Sequence, residues 1–159
     1  MATLLTLVTN MQAALTTGGS PLFSASNCFY AFDPKANLKV PPTDQFCVIQ
    51  PNGLSVVERA WNGGNGAINY VTTWKATIWL FVRSATDLAH QENLYLLNEA
   101  TGSLALADQV IDLFQGYKVA DGGNFYGYEL DEVVFQSEDR DSKGWAVTKL
   151  RYHSDFTGR

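Results

Sequence analysis

The segment that comes closest to a known chemical motif is Asp139-Arg140-Asp141-Ser142-Lys143-Gly144. Alternating carboxylates before a glycine are typical of a calcium-binding loop, in which side-chain oxygens hold the cation. Here Lys143 stands at the fifth position of the loop, and Leu150 stands where a bidentate glutamate is needed. The segment therefore indicates an ordinary charged hairpin turn, and we expect no metal site.

The histidines and the carboxylates show no catalytic pattern. His90 and His153 are predicted in different elements, and no serine or cysteine has a recognisable nucleophile context. Glu129, Asp131 and Glu132 share one predicted strand, where the first two point to the same face. Paired acid and base catalysis would also need a pocket, which the sequence does not reveal. We therefore expect no catalytic residues, no enzymatic activity and no cofactor.

Two glycine clusters and two cysteines complete the candidates for chemistry. The clusters at 63–66 (GGNG) and 122–124 (GGN) lack the lysine of a phosphate loop and the following helix of a dinucleotide site. Cys28 and Cys47 have no nearby pair of histidines, so they match neither a zinc site nor a redox motif. The clusters are predicted to be turns and the cysteines buried free thiols.

Composition describes a folded chain with an uncharged surface. The 159 residues are 46% hydrophobic and 17% charged, which indicates one domain over residues 1–159. A net charge of −5 argues against a basic footprint for specific nucleic-acid binding, although it allows a channel through which nucleic acid passes. No apolar run reaches the ~18 residues needed to span a bilayer, and the first residues lack the basic start of a signal peptide. We expect a soluble protein.

Acidic residues are concentrated in one part of the chain. Between Asp87 and Asp139 there are eleven acidic residues and one basic residue, Lys118. This bias has two interpretations: a solvated acidic face, or a repulsive surface along a conduit for a polyanion.

The spacing of apolar residues predicts two helices. A short helical turn is predicted between them, from Ser84 or Thr86 to Leu97. The N-terminal helix ends at Gly18 and Gly19, and the second begins with Ser103 as a candidate cap and ends at Gly116. The apolar stripes of these two helices are Leu4, Val8, Met11 and Leu15, and then Leu104, Ala107, Ile111 and Phe114 with Val110 beside them.

The rest of the chain is predicted to be strands and turns. The predicted strands are Ser26–Phe32, Gln45–Gln50, Leu54–Trp61, Ala67–Arg83, Phe125–Gln136 and Trp145–Phe156. Pro51-Asn52-Gly53 is predicted to be a turn, and the short loop after Trp61 makes residues 54–83 an antiparallel hairpin. The predicted fold is α+β, with an antiparallel sheet that carries a long hairpin and is packed by both helices on one side.

The strand Ala67–Arg83 is unusually long and carries large apolar side chains on both faces. At about 3.3 Å per residue it would span roughly 56 Å, whereas a compact chain of this size is only about 39 Å across. We therefore expect the hairpin at 62–69 to project and its stem to pack against another subunit. The candidate interface residues are Trp61, Tyr70, Trp74, Trp79 and Phe81. The alternative is a bulged strand that bends over its own core near Thr72 and Thr73.

The order of these elements resembles that of the tail terminator and tail-completion proteins of long-tailed bacteriophages. The resemblance covers residues 1–156 and rests on the aromatic strand TWKATIWLFV (73–82), the helix SLALADQVIDLF (103–114) and the closing segment GWAVTKLRYHSDFTGR (144–159). It implies a hexameric ring that caps the tail tube and joins it to the head-neck connector, with DNA passing through the lumen. The proline-bearing segment 29–42 departs from the pattern.

The resemblance also implies partners and a location. The partners are copies of the chain, the tail tube protein, a neck or head-completion protein and, in a contractile tail, the sheath. The location is the tail-neck junction of a virion assembled in the host cytoplasm. Asp108 and Asp112 are the leading candidates for acidic residues that face the lumen, since like charge lets DNA slide. A head-closure or neck connector protein, and a non-viral ligand-binding module that uses the aromatic strands as a cleft, stay open as alternatives.

Overall fold

The computed structural model describes residues 4–35, 40–59, 69–83, 86–87, 92–93, 102–115, 127–140 and 143–158. Its two α-helices are α1 (Leu4–Thr16) and α2 (Ser103–Phe114), and a short 3-10 helix covers Ala25–Asn27. The strands are β1 (Cys28–Tyr30), β2 (Gln45–Arg59), β3 (Asn69–Arg83), β4 (Thr86–Asp87), β5 (Glu92–Asn93), β6 (Glu129–Arg140) and β7 (Lys143–Gly158).

Five of the strands form one sheet in the order β1-β2-β3-β7-β6. Strand β1 runs parallel to β2, and the other neighbours are antiparallel, so the sheet is mixed. The predicted α+β class, the long antiparallel hairpin and the N-terminal helix are confirmed. The predicted helical turn after Ser84 is wrong where it can be compared, because β4 and β5 pair with each other as a small antiparallel ladder.

Strand β2 is longer than its sequence predicts. The predicted turn at Pro51-Asn52-Gly53 is wrong, because the ladder with β3 continues through it and shifts register between Pro51 and Gly53. One extra residue in β2 therefore forms a bulge, which a glycine with a φ of 153° at Gly53 accommodates. Proline is tolerated at such bulges and on edge strands, since no ladder hydrogen bond is lost there.

Both helices pack on one face of the sheet, which we call the helix face. The buried residues of α1 are Leu7, Met11 and Leu15, and those of α2 include Leu106, Ala107, Val110 and Phe114. They join the inward residues of the central strands, Trp74, Ile78, Leu80 and Leu150 among them, in one core. The predicted stripe of α2 is corrected in one respect: Leu104 is 39% exposed and Leu106 is buried.

A second, smaller core lies on the opposite face of the sheet. Six residues form it: Phe46, Val48, Trp79, Phe81, Trp145 and Val147. Phe46 stacks on Phe81, with ring centroids 4.4 Å apart, and meets Trp145 edge to face at 5.1 Å. Phe29, Ala31 and Val40 pack against this second core, so β1 and the segment after it cover it.

The second core decides how the long strand β3 is buried. Trp74 is 2% exposed on the helix face, and Trp79 and Phe81 are 6% and 0% exposed on the opposite face. The prediction that these three residues contact another subunit is therefore wrong, because the chain itself covers both faces around them. The ladders of β3 with β2 and β7 are regular through Thr72 and Thr73, so β3 does not kink there either.

Strand β7 alternates between the two faces of the sheet. Thr148, Leu150 and Ser154 are buried on the helix face, whereas Arg151 on the opposite face is exposed. Closer to the turn, Lys149 lies over the Trp79 ring, with Nζ 4.1 Å from the centroid. The Lys149 ammonium group thus makes a cation–π contact with a ring of the second core.

Two buried tyrosines predict opposite effects of the same substitution. The Tyr128 hydroxyl donates a hydrogen bond of 2.7 Å to the carbonyl oxygen of Leu7, whereas the Tyr152 hydroxyl finds no hydrogen-bond partner in the described part of the chain. We expect Tyr128→Phe to lower the free energy of unfolding by about 1 kcal/mol, and Tyr152→Phe to leave it unchanged or raise it. Urea denaturation at neutral pH measures both. A loss of similar size in Tyr152→Phe would contradict the assignment.

The same pair predicts a difference at alkaline pH. Burial raises the pKa of Tyr152 well above its ordinary value of 10.0. Above about pH 10 the unfolded chain loses this phenolic proton while the folded chain keeps it, so stability falls as pH rises. Tyr152→Phe removes this contribution, and its stability should fall less steeply above pH 10 than that of the wild-type protein in the same denaturation series.

Candidate functional site

The outer side of β2 is open along more than half of its length. Strand β1 pairs only with residues 47–49 of β2, and no other strand of the described chain pairs with this side of β2. From Pro51 to Arg59 the strand is therefore a sheet edge. Such an edge presents backbone N–H and C=O groups that can pair with another chain.

An apolar groove lies beside the start of this open edge, and we call it the edge groove. It has a volume of about 290 Å³. Residues of α1, of the segment after β1 and of β2 line it: Leu5, Val8, Thr9, Tyr30, Ala31, Phe32 and Pro51. Leu5 is 73% exposed and Phe32 is 85% exposed. Two large apolar side chains thus stand in solvent at the rim of one groove.

Hydrogen bonds hold the walls of the edge groove in place. The Tyr30 hydroxyl donates to Oε1 of Gln12 at 2.5 Å, which ties β1 to α1. Gln50 Nε2 donates to the carbonyl oxygen of Phe32 at 2.8 Å, and Ala31 N–H donates to the carbonyl oxygen of Ile49 at 3.2 Å. Burial raises the pKa of Tyr30 to about 12, so its hydroxyl stays a donor at neutral pH. The groove is therefore preformed.

The apolar surface continues along the open edge. Leu54 and Val56 pair with Trp74 and Thr72, which places them on the helix face, and they are 47% and 58% exposed. We call the five exposed apolar residues at this side of the sheet the edge patch: Leu5, Tyr30, Phe32, Leu54 and Val56. Single exposed apolar residues are ordinary, but a group beside an open strand is typical of an interaction site.

The opposite edge of the sheet, β6, has a different character. Phe135 is 55% exposed and Leu130 is 37% exposed, and both lie on the helix face. On the other face, Arg151 forms an ion pair with Glu132 at 2.5 Å. His153 lies between two carboxylates, with Nδ1 2.6 Å from Asp131 and Nε2 3.3 Å from Glu129. The two edges of the sheet therefore present different surfaces.

A polar groove of about 360 Å³ lies on this charged face. Asn52, Lys75, Thr77, Asp131, Glu132 and Arg151 contribute to its lining. The carboxylates of the groove are engaged with Arg151 and His153, and Thr77 donates to Asn52 Oδ1 at 2.8 Å. Within the described ranges, no group of three or more acidic, histidine or cysteine side chains could hold a metal ion. The arrangement suits a hydrated surface network more than a catalytic site.

The predicted site residues fall in three different places. Trp74, Trp79 and Phe81 are in the protein's own cores. Trp61 lies outside the described residues, and so does most of the predicted projecting loop at 62–69; the side chain of Tyr70 is not described either. Asp108 and Asp112 are exposed on α2 and form no ion pair with another described residue.

The sequence analysis missed the edge patch. One signal could have found part of it, because a proline inside a strand indicates an edge, and Pro51 precedes the alternating residues Leu54 and Val56. The exposure of Phe32 depends on where the segment after β1 runs, and no local pattern indicates that path.

Neither α1 nor α2, nor any other helix among the residues described, is long and apolar enough to cross a bilayer.

No protein-family model matches the chain, and no curated protein matches it.

Proposed function

We propose that this protein is a structural subunit that assembles with copies of itself through the edge patch. The observation that carries the proposal is the open edge of β2 from Pro51 to Arg59, bordered by exposed Leu54 and Val56 and by the preformed edge groove. A subunit that pairs with this edge would satisfy the backbone groups and cover the apolar side chains together.

The energy available from such a contact is sufficient for assembly. Burial of even ~400 Å² of apolar surface per subunit contributes on the order of 10 kcal/mol, at about 25 cal/mol per Å². Association costs of about 4 kcal/mol or more oppose this gain. At the lower cost the net gain is about 6 kcal/mol, which corresponds to a dissociation constant of tens of micromolar when the edge patch is covered.

The two edges of the sheet favour a ring over a closed dimer. The open part of β2 and the exposed residues of β6 lie at opposite sides of the five-stranded sheet. A contact between two different surfaces is heterologous, and heterologous contacts generate rings when the rotation closes. A ring built in this way uses both edges of every subunit.

The finer proposal follows the phage resemblance. In it the ring is hexameric, caps the tail tube and joins it to the head-neck connector, at the tail-neck junction of a virion. Its partners are the tail tube protein, a neck or head-completion protein and, in a contractile tail, the sheath. Asp108 and Asp112 face the lumen through which DNA passes, and their exposure on α2 supports this role.

Two alternatives are separated by different observations. A head-closure or neck connector of the same virion would use the same edge patch, and electron microscopy of its binding position on isolated tails and heads distinguishes the two. A ligand-binding module with an aromatic cleft is disfavoured, because Trp74, Trp79 and Phe81 are buried in the cores.

The assembly is tested by the mass of the particle in solution. We expect the purified protein at micromolar concentration to sediment as a particle several times heavier than the 17.5 kDa chain, with a ring visible by negative-stain electron microscopy. The double variant Phe32→Ser/Val56→Lys should sediment as a monomer, because it removes two exposed apolar side chains and places a charge on the open edge.

A matched control keeps this test specific. Leu104→Ser also removes an exposed apolar side chain, but on α2, and it should assemble as the wild-type protein does. A wild-type protein that sediments as a monomer, or a double variant that assembles normally while circular dichroism shows native secondary structure, would refute the proposal.

A further inference from the structure

Cys28 and Cys47 are direct neighbours in the sheet. They are register partners in the parallel ladder of β1 and β2, and both belong to the core of the helix face. Both thiols are free in this structure, and the two residues are 3% and 0% exposed. Two cysteines that are 19 positions apart in the sequence are thus neighbours in the sheet.

This placement satisfies the Cα separation that a disulfide requires. Neighbouring strands are about 4.8 Å apart, so register partners have their Cα atoms about that far apart. Disulfides span Cα distances of about 4.4–6.8 Å. Both side chains lie on the same face, since both pack in the same core.

We propose that Cys28 and Cys47 are a disulfide site, which closes when the protein meets a small disulfide oxidant. One cysteine thiolate attacks a sulfur of the oxidant, for example oxidised glutathione, and releases one glutathione thiol. The second cysteine attacks the mixed disulfide and releases the second glutathione. Two protein S–H bonds become one S–S bond, and the S–S bond of the oxidant is reduced to two thiols.

The position of the two cysteines determines how fast the disulfide forms and what its formation changes. Burial raises the pKa of the Cys47 thiol, so little thiolate is present at neutral pH and the reaction waits for β1 to open. Strand β1 has only three residues and is an edge strand, so its opening disrupts few ladder bonds. In a reducing compartment the thiols persist, and in oxidising surroundings the bond locks β1 onto β2.

The bond would also hold the cover of the second core. It closes a loop of about 20 residues that includes Phe29, Ala31 and Val40, the residues packed against that core. A closed loop lowers the entropy of the unfolded chain, so the oxidised protein is the more stable form. This inference does not rest on the proposed assembly.

Intact mass and thermal melting test the site. Purified protein is incubated with oxidised or with reduced glutathione, then denatured and alkylated. After oxidation we expect a mass lower by two hydrogen atoms, no alkylation, a proteolytic fragment that links residues 28 and 47, and a melting temperature higher by on the order of 5–10 °C. The reaction at neutral pH should be at least about tenfold slower than that of an unstructured cysteine peptide.

The single variants Cys28→Ser and Cys47→Ser are the controls. Each should melt at the same temperature with either form of glutathione, because neither can close the bond. If the wild-type protein instead gives only a mixed disulfide or a disulfide between two chains, the inference is wrong. It is equally wrong if both thiols are alkylated after oxidation in mild urea that opens β1, or if the bond forms without a rise in melting temperature.

Discussion

Replacement of Phe46 by alanine should lower the free energy of unfolding by about 3–5 kcal/mol. Phe46 is completely buried on the face opposite the helices, where it stacks on Phe81 and meets Trp145 and Phe29 edge to face. The substitution removes these contacts and leaves a cavity between rings that cannot collapse together. Urea denaturation followed by tryptophan fluorescence measures the loss, at one fixed protein concentration because the proposed assembly would add to the apparent stability.

Phe135→Ala is the matched control for this experiment. It makes the same change on the same sheet, but Phe135 is 55% exposed, so the expected loss is within about 1 kcal/mol. Equal losses in the two variants would mean that the second core does not exist as described, and that the segment after β1 does not cover this face.

The second large effect concerns the orientation of α2. Leu106→Ala should lower the free energy of unfolding by about 2–5 kcal/mol, because Leu106 is 4% exposed and packs in the core of the helix face. Leu104→Ala, two residues earlier on the same helix, should cost less than about 1 kcal/mol, since that side chain is 39% exposed. A larger loss in Leu104→Ala than in Leu106→Ala would mean that Leu104 lies on the buried side of α2, as spacing alone predicted.

This pair of leucines shows where spacing stops being informative. In α1 the predicted Met11 and Leu15 are on the buried side, but the completely buried Leu7 was not in the predicted stripe. In α2 the apolar residues occupy more than half of the circumference, so several stripes fit a period of 3.6 residues. The sheet selects one of them, and that selection depends on residues distant in sequence.

The strands show the same division between local and distant information. The hairpin of β2 with β3 was predictable, because a short loop joins two apolar runs. That β7 pairs with the other side of β3 was not, since the partners are about 80 residues apart. This pairing makes β3 central and leaves β2 at the edge, which is why the surplus apolar surface lies on Leu54 and Val56 instead of on Trp79 and Phe81.

The sequence therefore predicted that apolar surface would be left exposed, but not which residues form that surface. The sequence indicated a long hairpin with more apolar surface than one chain should cover, and the interface prediction assigned that surface to β3. The structure assigns it to the edge patch, because α1, α2 and the segment after β1 cover β3. On the second face, the described part of the covering segment after β1 has no regular secondary structure. No periodic sequence pattern therefore predicts what it packs against.

The bulge in β2 determines on which face of the sheet the exposed apolar side chains of this strand lie. Before it, Cys47, Ile49 and Pro51 take the helix-face positions at odd residue numbers. Beyond it, the parity reverses, and the even-numbered Leu54 and Val56 take those positions. An uninterrupted strand would turn both side chains to the charged face and present Gly53 and Ser55 beside the edge groove. A single inserted residue thus reverses which residues point to each face. It places Leu54 and Val56 on the side where Leu5 and Phe32 are exposed.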